Sequence, residues 1–463
     1  MSILSIVSTL NSQHTLPLDQ SIIDSTLRTS HGEHAYLIVE KLNDAGFDAW
    51  WVGGCVRDML LKKTPDDIDI ATSALPEDIV KTFSHVDERG KEWGSLHVTV
   101  GKETFHITTF REDDAASDGR HPKSVLFGTR EQDAARRDFT VNAMYFHPIT
   151  RKFYDPYGGE ADLLERLIRF IGDPALRIKH DALRMLRAVR FRAMLDGQYH
   201  PETYIALQEL ASYIEVLSGT RRLLELEKIL LLDNPARALE DLWDLRLLEY
   251  MLPELAVCKG VPQPADYHHE GDVWEHLLLC TKAFTDEHGI DVRLATLFHD
   301  CGKAKTFSLK DRIRFDHHAS VSANLTRHAL QRLQCPAKRR EKICWLIEHH
   351  MMMGSFFDMP DERKAHWYHH PLFLELLQLF WLDIAGTDPA DFSLYERIVA
   401  DRNAFLDAHP LPIKLLLTGE EIMNILGISP GEKVGEVIKA LHEAQIRGEV
   451  RSKKEARIFI ERE

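Results

Sequence analysis

Residues 51–72 read WVGGCVRDMLLKKTPDDIDIAT, and the order of residue types in this stretch decides the fold of the N-terminal third. The apolar run Trp50-Trp51-Val52 reads as a strand that meets Gly53-Gly54 and then a helix beginning near Val56. Two glycines let the backbone approach a ligand closely, and N–H groups at a helix start favour anionic oxygens. Arg57, in the first helical turn, can reach a phosphate. The strand that follows carries Asp67 and Asp69. At a spacing of two, both carboxylates face the same side of a strand. Held so close, they repel unless a cation lies between them. Mg2+ accepts one or two carboxylates and takes its other ligands from water and substrate phosphates. The pattern therefore points to metal-assisted, in-line displacement at phosphorus.

Outward from this stretch, short β-rich runs at Ala49–Val52, Ile68–Ala71, Leu96–Val100 and Phe105–Phe110 alternate with helical patterns over residues 33–160. This predicts a mixed α/β domain. Residues 1–32 carry no sustained period and read as a loosely ordered extension. From about 160 the strand signals vanish and apolar residues recur at helical spacing. Val261-Pro262-Gln263-Pro264 and His409-Pro410-Leu411-Pro412 read as breaks. The expected fold class is α+β, a mixed α/β head followed by all-α regions at 161–258, 259–408 and 409–463.

Composition narrows the function. The 463 residues are 44% hydrophobic and 28% charged, which excludes disorder as the main character. Apolar stretches are short and interrupted by charge, so no membrane partner is expected. No secretory leader is visible. Six cysteines without a Cys-x-x-Cys pair fit a reducing cytoplasm. The net charge of −15 disfavours indiscriminate nucleic-acid binding. One region is locally basic: Arg166, Arg169, Arg177, Lys179, Arg184, Arg187, Arg190 and Arg192. Such a stripe is either a solvated face paired with acids or the footprint of a phosphate-rich ligand.

Two further motifs bear chemistry. In residues 136–143, RRDFTVNA, the arginines suit triphosphate oxygens and Asp138 can accept from a ribose 2′-hydroxyl; the bland alternative is a helix cap. In residues 177–193, RIKHDALRMLRAVRFRA, Asp181 and Arg184 stand three apart on an expected helix. A carboxylate accepts from an exocyclic amine and a guanidinium donates to the acceptors beside it, so the pair can imitate a complementary base edge. The alternative is a helical salt bridge.

Gly53-Gly54-Cys55-Val56-Arg57-Asp58-Met59-Leu60-Leu61 with Asp67-Ile68-Asp69 resembles the bacterial class II tRNA nucleotidyltransferases and poly(A) polymerases. The resemblance implies a catalytic head (33–160) and a helical neck and body (161–258). It implies Asp67 and Asp69 as catalytic Mg2+ ligands. It implies nucleotide binding by Gly53, Gly54, Arg57, Arg137, Asp138, Asp181 and Arg184, supported by Arg187 and Arg190. The implied reaction is template-independent CCA addition to the tRNA 3′ end from CTP and ATP. Glu92-Trp93-Gly94-Ser95-Leu96-His97-Val98 resembles the tRNA enzymes more than the poly(A) polymerases. Asp118-Gly119-Arg120-His121-Pro122 looks like the flexible loop of complete CCA-adding and A-adding enzymes. Two positions depart from the family: His106 and His180 stand where relatives usually carry Glu.

Between residues 268 and 370 histidines cluster. His276, His299-Asp300, His318, His349 or His350, and Asp383 can hold a divalent metal that activates water. Lys303 can touch a phosphate. The order resembles an HD phosphohydrolase domain (259–408), with His276, His299, Asp300 and Asp383 as the implied ligands of a second divalent metal. The last unit (409–463) resembles the helical tail of the bacterial enzymes, in which Arg451, Lys453, Lys454 and Arg457 can contact RNA. The competing readings are an A-adding enzyme or poly(A) polymerase, an HD phosphohydrolase acting on phosphodiesters, and a non-catalytic RNA-binding protein. Oligomeric state is not legible in the sequence.

Overall fold

The computed structural model describes residues 18–112, 126–264, 269–309, 311–409, 414–446 and 448–462. The Asp118–Pro122 loop motif and the break at 410–412 lie outside the described residues. The chain forms two units, Met1–Met251 and Leu252–Glu463.

Unit 1 begins with α1 (Gln20–Leu27) and α2 (Ser30–Asp44). The expected loose extension is thus helical from Gln20. Asp19 accepts from the Ser21 N–H and Thr29 from the Gly32 N–H, so each helix has a side-chain cap, and Ile23, Ala35, Ile38, Val39 and Leu42 are buried. Next come β1 (Ala49–Val52), α3 (Gly54–Leu60), β2 (Ile70–Thr72), α4 (Pro76–Thr82), β3 (Val86–Asp87), β4 (Ser95–Val100) and β5 (Glu103–Thr109). β6 (Arg111–Glu112) pairs with β7 (Leu126–Phe127), and α5 (Arg130–Arg136), β8 (Tyr145–His147) and β9 (Lys152–Tyr154) follow. Seven strands form one sheet in the order β3-β4-β5-β2-β1-β8-β9, with only β2 and β5 parallel.

All four residues of β1 are buried because both faces of the sheet are covered. Trp51 packs edge-on against Phe146 on one face. Trp50 and Val52 join Ala71, Phe110, Ala134 and Tyr145 on the other. Each large apolar side chain fully buried in this way stabilises the fold by about 1.5–3 kcal/mol.

The rest of unit 1 is helical: α6 (Gly159–Leu164), α7 (Pro174–His180), α8 (Leu183–Met194), α9 (Pro201–Glu209), α10 (Gly219–Leu230), α11 (Pro235–Asp244) and α12 (Leu247–Met251). One strand pair interrupts it, contrary to the all-helical expectation: β10 (Leu167–Ile168) pairs in parallel with β11 (Gln198–Tyr199).

Unit 2 contains α13 (Pro253–Ala256), α14 (Val273–Lys282), α15 (Ile290–Phe298), α16 (Lys303–Thr306), a hairpin of β12 (Phe307–Leu309) and β13 (Ile313–Phe315), α17 (His318–Arg332), α18 (Ala337–His349), α19 (Asp361–Tyr368), α20 (Phe373–Ala385) and α21 (Ser393–Ala408). Every residue of α15 from Val292 to Phe298 is buried, the mark of a central helix. It packs against α14, α17, α18 and α20. A terminal cluster from α22 (Gly419–Leu426), α23 (Glu432–Ile446) and α24 (Lys453–Ile460) encloses Leu417, Ile422, Leu441, Ala456 and Ile460. No helix of the described residues is long and apolar enough to cross a membrane.

Candidate functional site

The glycine turn follows β1 directly. Gly53 has φ 75°, in the left-handed region that favours glycine, and it caps α3, which starts at Gly54 rather than near Val56. The Gly53 N–H donates to the Met144 carbonyl. Asp67 and Asp69 precede β2 instead of lying within it, because ladder pairing begins at Ile70 opposite Trp51. Extended geometry nevertheless reaches back to them: the Val52 N–H donates to the Asp69 carbonyl at 3.0 Å, which sets Asp69 across from the residue that enters the turn. Ile68 and Ile70 are buried, while Asp67 is exposed and Asp69 half-exposed. The alternation puts both carboxylates on the open side.

Among the described residues no Lys or Arg pairs with either carboxylate. Their neighbours are imidazoles: His106 Nδ1 lies 3.1 Å from Asp69 Oδ1, and His31 Nε2 lies 3.9 Å from Asp67 Oδ1. Two carboxylates without a guanidinium or ammonium partner suit a divalent cation.

Arg137 stands beside the turn: a Cβ on Gly53 would lie 3.4 Å from its guanidinium. Behind it is Asp133, fully buried on α5. Asp133 Oδ2 accepts from Arg137 Nη2 at 3.0 Å and from the Tyr145 hydroxyl at 2.7 Å, and its Oδ1 accepts from Arg136 Nε at 2.8 Å. Burial alone would raise the Asp133 carboxyl, but Arg137, Arg136 and Tyr145 outweigh it and bring it to about 2.

Arg57 does not point into open space. Its guanidinium donates to Asn142 Oδ1 at 2.8 Å and to Asp58 Oδ1 at 2.9 Å and is buried. In this conformation it braces the turn instead of offering itself to a phosphate. Asp138 is similarly occupied. Its Oδ2 accepts from Arg187 Nε at 2.7 Å, and its Oδ1 accepts from the Phe139 N–H and Asn142 Nδ2. Burial opposes its charge, but Arg187 holds the carboxyl below its ordinary range.

The arginine series is not a free solvated stripe. Arg187 pairs with Asp138, Arg190 with Glu225 at 2.5 Å and Arg192 with Asp241 at 3.1 Å, and all three acids are buried. Phe191, legible in the sequence only as an apolar position at helical spacing, lies under three guanidinium groups: those of Arg57, Arg187 and Arg190 are 5.3, 5.1 and 4.4 Å from its ring centre.

Asp181 and Arg184 do not share a helix. Asp181 is extended (φ −154°, ψ 104°) between α7 and α8, and its Oδ1 accepts from the Leu183 N–H, a local bond that competes with helix continuation. Asp181 Oδ2 accepts from Arg221 at 2.9 Å. Arg184 donates to the carbonyls of Arg177 and Arg136. The structure still brings the two residues together, since the Arg184 N–H donates to the Asp181 carbonyl.

In unit 2 the histidine pattern converges. His276 (α14), His299 and Asp300 (end of α15), His318 (start of α17) and His350 (end of α18) are all buried, and Asp383 comes from α20. His349 does not join them: its ring stacks on Trp345 and packs against Trp367. In each of the four converging histidines Nδ1 meets a backbone carbonyl, of Gly386, Thr296, Phe315 and Ile347 respectively. Nδ1 therefore carries the proton and Nε2 is aimed inward. The Nε2 atoms of His276 and His299 are 3.4 Å apart, and those of His318 and His350 are 3.3 Å apart.

Asp300 lies between the two pairs. Its Oδ2 faces His276 and His299 at 3.7 and 3.4 Å and pairs with Lys303 at 2.6 Å; its Oδ1 faces His318 and His350 at 3.3 and 3.8 Å. Oδ1 is buried and receives no directed hydrogen bond. Burial opposes the charge on Asp300 and Asp383, but Lys303, His299 and His318 keep Asp300, and His276 and His299 keep Asp383, well below the usual carboxylate range. Burial and His299 lower His350 to about 4. Facing ring nitrogens beside a buried carboxylate oxygen with no directed hydrogen bond are a donor set that suits a divalent metal. Lys303 bonds Gln263 at 2.7 Å and is buried, so it is held against Asp300 rather than presented to a ligand.

Comparison with known proteins agrees with this layout. Residues 49–169 match the Poly A polymerase head domain, 198–259 the probable RNA and SrmB-binding site of polymerase A, and 267–401 the HD domain. The CCA-adding enzyme of Pediococcus pentosaceus is 41% identical over 219 residues; the match spans 47% of this chain and 55% of that protein's length. The CCA-adding enzyme of Streptococcus suis is 29% identical over 436 residues, 92% of this chain and 95% of that one. The crystal structure of the Bacillus stearothermophilus CCA-adding enzyme in complex with CTP superposes with a TM-score of 0.69 at 28% identity, covering 94% of this chain and 98% of that chain. Segment by segment, the chain is thus similar to a poly(A) polymerase-type head, an RNA-binding region and an HD domain, and over most of its length to proteins named CCA-adding enzymes.

Proposed function

We propose that this chain adds CCA to the 3′ end of tRNA, using CTP and ATP and releasing pyrophosphate, in a reducing cytoplasm where its six cysteines stay free. The observation that carries the reading is the carboxylate couple, Asp67 and Asp69, which has no Lys or Arg partner among the described residues and is set against the Gly53-Gly54 turn with Arg137 at its side. Asp67 and Asp69 would hold Mg2+, which activates the attacking hydroxyl and stabilises charge on the phosphoryl oxygens. The RNA 3′-oxygen bonds to the α-phosphorus, the bond from that phosphorus to the bridging oxygen breaks, and pyrophosphate leaves. Gly53 and Gly54 admit the triphosphate close to the backbone, with Arg137 bonding its oxygens. Arg57 and Asp138 act from behind, Arg57 bracing the turn and Asp138 fixing Arg187. Asp181 and Arg184 read the base edge.

Incubating a tRNA that lacks its 3′ end with labelled CTP and ATP, separately and together, and sequencing the products tests this. CCA ends are expected. Adenosine added only after an existing CC, or homopolymeric A tails, would move the protein to the A-adding or poly(A) reading. Replacing Asp181 by Ala is expected to weaken rejection of UTP and GTP by tenfold or more, since one good base contact is worth about 1–3 kcal/mol. Incorporation of the four nucleotides, measured competitively, checks it.

A second reading concerns unit 2. The inward Nε2 atoms and the orphaned Asp300 Oδ1 favour a divalent metal centre of His276, His299, Asp300 and Asp383, extended by His318 and His350. Such a centre activates water for attack on a phosphodiester. Uptake of cobalt into the cluster, followed in the visible spectrum, tests its existence.

A further inference from the structure

We propose that Cys280 is a ligand of the unit 2 metal and takes, with His276, His299 and Asp383, four positions around it, while Asp300, its Oδ2 paired with Lys303 at 2.6 Å, flanks this set instead of completing it. This rests on the reading that unit 2 holds a divalent ion. The four donor atoms lie within 4.8 Å of one another.

Four of the six donor–donor separations come close to the edges of a tetrahedral zinc polyhedron, and the other two are no longer than 4.8 Å. With Zn–N and Zn–O near 2.0–2.1 Å and Zn–S near 2.3 Å, tetrahedral angles give edges of about 3.3–3.4 Å between N or O donors and about 3.6 Å between N and S. His276 Nε2 is 3.4 Å from His299 Nε2, 3.1 Å from Asp383 Oδ1 and 3.5 Å from Cys280 Sγ, and His299 Nε2 is 3.3 Å from Asp383 Oδ1. Little movement is needed to seat an ion.

Local structure explains why the sulfur is there. Cys280 is four residues after His276 on α14, so both side chains leave the same helix face. The opposite wall is Gly386. A Cβ at that position would lie 2.2 Å from Cys280 Sγ, so only glycine lets the end of α20 close over the thiol. The Gly386 carbonyl also receives His276 Nδ1 at 3.1 Å. One residue thereby fixes the His276 tautomer and confines the sulfur to the cavity. Asp383 is 27% exposed, which leaves the site one open side.

A donor set of two imidazoles, a thiolate and a carboxylate selects a borderline-soft ion such as Zn2+ or Co2+ over Mg2+. The chain would then carry two chemically distinct centres: an oxygen-lined one for Mg2+ and a sulfur-bearing one for zinc.

The test uses the full chain, stripped with a chelator and titrated with Co2+. Visible bands of tetrahedral cobalt are expected together with a thiolate-to-cobalt charge-transfer band in the near ultraviolet. Cys280→Ser is expected to abolish the ultraviolet band, keep visible bands, and weaken cobalt binding by at least about tenfold. Zinc K-edge X-ray absorption of the unaltered chain gives a readout free of any folding defect: one sulfur scatterer near 2.3 Å is expected. Visible cobalt bands without the charge-transfer band, persistence of that band in Cys280→Ser, or a zinc shell without sulfur would overturn the Cys280 assignment and leave the metal centre standing. Absence of any cobalt signal would remove the centre itself.

Discussion

Replacing Asp69 by Ala is expected to reduce nucleotide addition by about a thousandfold or more while leaving the fold intact. On the proposed reading a metal held here would supply several kcal/mol of charge stabilisation in the transition state, and each 1.36 kcal/mol is a factor of ten in rate. The Asp69 side chain is half-exposed, and its one hydrogen-bond partner among the described residues is His106. Stability therefore loses little. Asp67→Ala is expected to behave alike, since that carboxylate is more exposed still. The measurement is incorporation of labelled CTP into tRNA lacking its 3′ end, beside a urea melt of each variant. A variant that melts normally and still adds nucleotides at more than a tenth of the original rate would refute the metal assignment.

The largest effect on stability is expected at Asp133. Its carboxylate is wholly buried and neutralises both Arg136 and Arg137. Removing one partner of a buried ion pair leaves an uncompensated charge and costs about 3–5 kcal/mol. Asp133→Ala leaves two such arginines, so it belongs at the upper end of that range, read as a fall in the urea midpoint. A loss below about 1 kcal/mol would mean that the arginines find water or other acids at no cost. The same group sets a pH dependence. In the folded chain it sits at about 2, below the ordinary aspartate value of 3.8. The stabilisation it provides is thus complete above the unfolded value and disappears as pH falls through about 2. The Asp133→Ala variant should show a flatter acid limb than the unaltered chain.

The glycine turn and acid pair were legible because they depend on neighbours close in sequence. Alternation of Ile68 and Ile70 with Asp67 and Asp69 fixes which side faces out, whether or not ladder pairing reaches that far. Partners distant in sequence were not legible. Arg187, Arg190 and Arg192 recur as a surface stripe would, yet their acids are Asp138, Glu225 and Asp241, between 35 and 49 residues away for Arg187, Arg190 and Arg192 alike. Periodicity also ran across Asp181, where a short polar side chain had a better local bond to the Leu183 N–H than the helix could offer. The caps Asp19 and Thr29 were visible signals for two helices, but weak apolar periodicity masked them. In unit 2 spacing found the histidines. It could not choose between His349 and His350, because adjacent helical residues point about 100° apart and only packing says which one turns inward.

The ring of Phe191 has a mechanical consequence. It lies against Arg57 of α3 and Arg187 and Arg190 of α8, so on the proposed reading the floor under the triphosphate and the rod that carries the base-reading arginine would move together. Freedom to accommodate first a pyrimidine and then a purine would then reside at the joint on the near side of that rod, where Asp181 stands in extended backbone. The enzyme would change its preference by bending one link of chain rather than by rebuilding a pocket.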